Sequence, residues 1–185
     1  MTEEKAFEMR PLWVFGYASL MWNPGFDVAE TVLATLHGFS RSFCMSSIHH
    51  RGTVDDPGLV LALDAEEGAQ CTGLALRIPE GNEAATIENL RERELISSAY
   101  TERLLHLNLT NGAQVEALAY VVDPTHEQYV AHLSLEEQAQ IIAHATGGRG
   151  PNTEYLWNTV AHLGELGIRD ADLEWLSQRV RNLKE

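Results

Sequence analysis

An α+β fold built on an antiparallel or mixed sheet is what the order of elements in this 185-residue chain predicts. Three observations carry the prediction. Apolar, strand-forming runs come first, helical segments come last, and a single helix is inserted among the strands. Asn111-Gly112 stands between two such runs as a tight hairpin signal. Ser134-Leu135-Glu136-Glu137 has the form of a capping box and marks where the chain turns helical.

The first strand is expected over Leu12 to Phe15, where an apolar run breaks at Gly16. Val32 to Leu36 and Phe39 to Met45 read as two strands joined at Gly38. Ser46 to Pro57 is polar, a loop that holds His49, His50 and Arg51. Leu59 to Leu63 and Cys71 to Ile78 read as strands separated by a turn at Asp64 to Gly68. Pro79, suited to a first helical turn, opens the inserted helix, which is expected to reach about Ser98. Strands at Arg103 to Leu109 and Val115 to Val122 form the hairpin. Helices follow over Gln138 to Ala145, Thr153 to Leu166 and Asp170 to Asn182, with a loop at Thr146 to Asn152. No repeat or linker interrupts this series. Residues 1–10 read as a frayed tail and residues 11–183 as one domain.

Composition narrows the partners. A net charge of −14 argues against nucleic acid or an anionic membrane. It also means that an anionic substrate must be attracted by backbone amides and a few placed cations. No apolar run approaches membrane-spanning length, and the acidic N-terminus has no signal-peptide core. Cys44 and Cys71 form no C-x-x-C pair and read as reduced thiols of a cytoplasmic protein. The eight histidines contain no H-x-x-x-H or H-E-x-x-H, so no metal site is legible. Gly147-Gly148-Arg149-Gly150 lacks the Gly-Lys-Ser/Thr of a phosphate loop. His49 and His50, if extended, point to opposite faces.

Two stretches are candidates for chemistry. Where the first strand stops, Gly16-Tyr17-Ala18-Ser19 places several backbone N–H groups among small side chains. Such a bend can hold a carboxylate or a developing oxyanion; it can equally be an ordinary turn after a buried strand. Ser19 has no triad around it. On the inserted helix, stepping ~100° per residue puts Glu94 about 20° from Ile87 and about 40° from Leu90, inside the apolar stripe. Burial disfavours the ionised form and raises a carboxyl pKa, which suits a general acid or base near neutral pH. The alternative is a structural glutamate paired with Arg77, Arg91 or Arg51. Tyr155 reads on its own as a core tyrosine with a bonded hydroxyl.

Four blocks in order resemble one family. Val14-Phe15-Gly16-Tyr17-Ala18-Ser19-Leu20-Met21-Trp22-Asn23-Pro24-Gly25-Phe26 is similar to the opening motif of ChaC-type γ-glutamylcyclotransferases. His50-Arg51-Gly52-Thr53 with Pro57-Gly58 resembles the second block, and Leu90-Arg91-Glu92-Arg93-Glu94 with Ala99-Tyr100 the third. Gly150-Pro151-Asn152-Thr153-Glu154-Tyr155-Leu156, His162-Leu163 and Leu166-Gly167-Ile168 resemble the last. The resemblance implies a small β-barrel with flanking helices that converts glutathione to 5-oxoproline and cysteinylglycine, with no metal and no cofactor. It implies Glu94 as the catalytic acid/base. It implies Tyr17, Ala18, Ser19, Leu20, Met21 and Trp22 as the loop around the γ-glutamyl group, with Arg51, Tyr100 and Tyr155 as further binding residues. Ala18 departs from the family's usual glycine, and a Cβ there disfavours positive φ; His49 stands where an acidic residue is common. Other γ-glutamyl amino acids or amines, or a non-catalytic γ-glutamyl-binding role, are the alternatives. Oligomeric state is left open, with a monomer favoured.

Overall fold

The computed structural model describes residues 11–95 and 98–185; the tail expected over residues 1–10 lies outside them. The chain forms two compact units. One holds residues 11–40 together with the described part of 63–123, the other Arg41–Ala62 together with Pro124–Glu185.

Five strands close a barrel: β1 (Trp13–Gly16), β2 (Glu30–Ser47), β3 (Gly58–Arg77), β4 (Tyr100–Leu109) and β5 (Gln114–Val122), in the order β1-β3-β2-β4-β5. The sheet is mixed. In the first unit β1 is antiparallel to β3, from Trp13↔Arg77 to Gly16↔Leu74, and parallel to β5 at Trp13↔Ala117 and Val14↔Leu118. β4 and β5 form the expected hairpin, in register from Tyr100↔Val122 to Asn108↔Gln114. Phe15, Leu63, Leu76, Leu107, Leu118 and Tyr120 are buried there, as the apolar strand runs require. The α+β class and the barrel are therefore both found.

The second unit contains α2 (Leu135–His144), α3 (Asn152–Glu165) and α4 (Ala171–Lys184). Their apolar faces bury Ile142, Leu156, Leu163, Leu173, Leu176 and Val180. Both halves of the capping box form at Ser134: its side chain accepts from the Glu137 N–H, and Glu137 accepts from the Ser134 N–H. Asp170 caps α4 by accepting from the Leu173 N–H at 3.1 Å.

Four expectations need correction. The pair of strands around Gly38 is one strand, β2, and the pair around Asp64 to Gly68 is one strand, β3. Gly38 and Gly68 have φ of +85° and +81°. Glycine at positive φ inside a ladder bends a strand without ending it. The inserted helix, α1, spans Glu83–Glu94 and neither starts at Pro79 nor reaches Ser98. Pro79 instead opens a turn in which the Asn82 N–H donates to its carbonyl, with Gly81 at φ +91°, outside helical space. The loop at Thr146 to Asn152 contains a two-residue ladder between β6 (Thr146–Gly147) and β7 (Gly150–Pro151).

Candidate active site

In the first unit β1 ends at Gly16 and the chain enters a 3-10 turn over Ser19–Met21. The turn is closed by Met21 N–H to Ala18 carbonyl, at 2.9 Å, and Asn23 N–H to Ser19 carbonyl, at 2.7 Å. The leading N–H groups of such a turn have no partner within it. Tyr17, Ala18, Leu20 and Met21 are buried, Ser19 and Trp22 half-buried. The buried residues thus anchor the turn in the unit's core. Ala18 has φ −144°, so the position does not demand the left-handed conformation that a Cβ would disfavour.

Glu94 is the last residue of α1, with its side chain 18% exposed. Thr86 and Leu90 are the buried residues of this helix and Ile87 is half-buried. The carboxyl therefore lies at the inner end of the buried face, as the helical spacing indicates. Burial raises its pKa above the ordinary carboxylate value, and the neighbouring Arg93 charge opposes part of that rise. None of the three cations weighed from sequence is its partner. Arg77 pairs with Glu30 at 3.1 Å, Arg91 with Glu102 at 2.8 Å and Arg51 with Glu154 at 3.5 Å. Its ion-pair neighbour is Arg93, Nε to Oε1 at 3.4 Å.

Sequence reasoning did not single out Arg93, or a second network beside it. Tyr120, 1% exposed, donates its hydroxyl to Glu102 Oε2 at 3.1 Å. The Arg91 guanidinium binds the same carboxylate through Nε and Nη2. The Arg91 hydrogen bonds hold the Glu102 carboxyl below the usual range, whereas burial and the charges of Glu102 and Glu94 push the Tyr120 phenol up. The two carboxyls are thus shifted in opposite directions, Glu102 toward its ionised form and Glu94 toward its protonated form. Environments that drive such pKa values apart separate structural from acid/base roles. The signal for the network was in the hairpin, since the register set at Asn111-Gly112 places Glu102 opposite Tyr120.

Tyr100 is half-buried at the start of β4, opposite Val122. In the second unit Arg51 and Tyr155 come together, the guanidinium carbon 5.7 Å from the ring centroid. Arg51 Nη1 also donates to the Pro151 carbonyl at 3.1 Å. The Tyr155 hydroxyl oxygen accepts from the Leu61 N–H at 3.1 Å, and its ring packs edge-on against Phe43. Asn152, fully buried, accepts from the Leu59 N–H and donates to the Leu59 carbonyl, both at 2.8 Å. The His50-Arg51-Gly52 loop needs its glycine, because a Cβ on Gly52 would lie 2.5 Å from the Ser47 carbonyl oxygen and 2.7 Å from Pro57 C. His50 is pushed toward its neutral form, first by desolvation and then by Arg149, His49 and Arg51. Cys44 and Cys71 are buried and are not in a disulfide. Among the described residues no group of three or more His, Cys, Asp or Glu could hold a metal ion, and no helix is long and apolar enough to cross a membrane.

The chain is similar to known proteins. The family described as ChaC-like protein matches residues 12–183. A glutathione-specific γ-glutamylcyclotransferase of Escherichia coli is 38% identical over 173 residues, covering 94% of this chain and 74% of that protein. γ-Glutamylcyclotransferase 2-3 of Arabidopsis thaliana is 32% identical over 178 residues, covering 93% and 89%. The crystal structure of a yeast γ-glutamyl cyclotransferase specific to glutathione shares the fold, with a TM-score of 0.82 at 24% identity, covering 93% of this chain and 96% of that one. With four sequence blocks in order and a family match over nearly its whole length, this chain belongs to the ChaC-like family.

Proposed function

We propose that this chain is a glutathione-specific γ-glutamylcyclotransferase, releasing 5-oxoproline and cysteinylglycine. The observation that carries the reading is Glu94: a mostly buried carboxyl of raised pKa, in ion-pair contact with Arg93, which also binds the 3-10 turn. Residues 11–183 are proposed to act as one domain, a reading supported by the family match over residues 12–183. The cytoplasm is the proposed compartment, supported by two buried cysteines that form no disulfide.

The substrate brings its own nucleophile. Its α-amine attacks its own δ-carbonyl, the bond to the cysteinyl nitrogen breaks, and a five-membered lactam forms without consuming water. Ring closure supplies proximity, so the protein chiefly enforces the folded conformer. The attacking amine loses a proton and the departing nitrogen gains one, and a single carboxylate between them serves both transfers. Glu94 takes that role. The loop of residues 17–22 is proposed to hold the γ-glutamyl group, and Arg51, Tyr100 and Tyr155 are proposed as further binding residues. Nothing in this sequence of bonds requires a Lewis acid or a redox group, so EDTA is expected to leave the rate unchanged. Reversible inactivation by the chelator, with recovery on adding a divalent ion, would refute the metal-free route.

Incubation with glutathione in H₂¹⁸O, followed by mass spectrometry, tests the reaction. Equimolar 5-oxoproline and cysteinylglycine without ¹⁸O are expected. Glutamate carrying ¹⁸O would mean hydrolysis, and no product would favour a binding role. γ-Glutamylalanine run in parallel tests specificity; equal turnover would broaden the substrate class.

A further inference from the structure

We propose that Arg93, seconded by Asn89, is a positioning residue that fixes the 3-10 turn and the segment after it against the Glu94 carboxylate. The inference rests on the reading of Glu94 as the acid/base and gives a role to Arg93, which the third sequence block contains without one, and to Asn89, which lies outside the blocks. Arg93 makes four polar contacts. Nη1 donates to the carbonyls of Asn23 at 2.8 Å and Pro24 at 3.3 Å, Nη2 donates to Ser19 Oγ at 3.2 Å, and Nε faces Glu94 Oε1 at 3.4 Å. Asn89, one helical turn earlier on the same face, donates through Nδ2 to the Gly25 carbonyl at 3.0 Å. Three consecutive carbonyls, of residues 23, 24 and 25, thus point at the last two turns of α1. Gly25 adopts φ +76°, and a Cβ there would lie 3.2 Å from Arg93 Nη1. The guanidinium therefore sits where a side chain at position 25 would crowd it.

Two consequences follow for chemistry. The planar fork of a guanidinium fixes direction as well as charge, which an ammonium does not, so turn and carboxylate are held by one rigid group. The same group also tempers the proton affinity of Glu94, which burial raises and the Arg93 charge partly lowers. The other ionisable group that senses Glu94 is Tyr120 on β5, itself bonded to Glu102 on β4 and, through it, linked to Arg91 on α1. Those three form a bonded set of their own, and among the described residues Arg93 is the cation paired with Glu94.

The test compares Arg93→Gln, Arg93→Lys and Asn89→Ala with the parent protein. The readouts are the Glu94 carboxyl titration, followed by ¹³C NMR on glutamate-labelled protein without substrate, and the pH profile of kcat/KM on glutathione. Arg93→Gln is expected to move both the titration midpoint and the acid limb to higher pH. It should also lower kcat/KM by about 10²-fold, the scale of a misplaced reacting group. Arg93→Lys keeps the charge, so the midpoint should stay while kcat/KM still falls. Asn89→Ala should lower kcat/KM less and leave the midpoint in place. An unmoved midpoint in Arg93→Gln, or a merely lowered melting temperature with the parent profile, would overturn the proposal. If Arg93→Gln does not fold, Arg93→Lys decides, and kcat/KM at the parent level would overturn it. The titration is independent of turnover: a parent protein that makes no 5-oxoproline defeats the proposed function while the midpoint shift still reports on Arg93.

Discussion

At the scale of the residue, Glu94 illustrates function held against stability. Its pKa is raised from 4.5 by burial, so the folded state binds the proton more tightly than the unfolded chain. Stability from this group is full below the unfolded value and is lost as pH rises through the folded one. Glu94→Gln removes the ionisable carboxyl and should melt higher than the parent at pH 7, with the gain vanishing below about pH 4. A lower melting temperature for Glu94→Gln at pH 7 would instead mean that the charge stabilises the fold through Arg93. Ala18 gives a second test. Its φ lies outside the left-handed region that favours glycine, so Ala18→Gly is expected to cost roughly 0.4–1 kcal/mol through the unfolded chain. Ala18→Val would overpack a buried position at roughly 1–3 kcal/mol, and kcat/KM should fall by about tenfold or more. Parent-like kcat/KM on glutathione in Ala18→Val would mean that this turn does not contact substrate.

At the scale of the element, Asn152 shows how one side chain completes a strand. Its amide gives Leu59 both bonds that a neighbouring strand would give, within a buried site. Asn152→Ala leaves a buried N–H and a buried carbonyl unpaired, at about 1–3 kcal/mol each. Denaturant unfolding should show a loss of about 2–4 kcal/mol, whereas a loss near zero would mean that water reaches both groups. This bond was not legible in sequence, because it joins residues far apart in the chain. Local signals did better. The Asn111-Gly112 hairpin and the Ser134 capping box formed as read, since each is closed within a few residues. Gly38 and Gly68 misled, because a glycine that turns a chain and one that bends a strand look alike until the partner strand is known. The burial of Glu94 was legible because helical periodicity places it beside Leu90, while its acid/base role came only with the family resemblance. Arg93 was not, since its partners lie on the turn after β1, far back in the sequence.

At the scale of the whole molecule, the net charge of −14 opposes an anionic substrate. Glutathione is net anionic at neutral pH, and salt screens long-range repulsion over a Debye length of about 10 Å at 0.1 M. kcat/KM should therefore rise with ionic strength. A steady fall would show that local cations such as Arg51 and Arg149 outweigh the field of the molecule.

The claim that one carboxylate serves both proton transfers is tested most directly by turnover of Glu94→Gln on glutathione, with 5-oxoproline counted by mass spectrometry. Circular dichroism confirms the fold, and calorimetry confirms that substrate still binds. General acid–base catalysis contributes roughly 10²–10⁴-fold, and here a single group acts twice. The expected result is a folded, glutathione-binding protein whose rate falls by at least about 10²-fold. A folded variant that keeps more than about a tenth of the parent rate would contradict it.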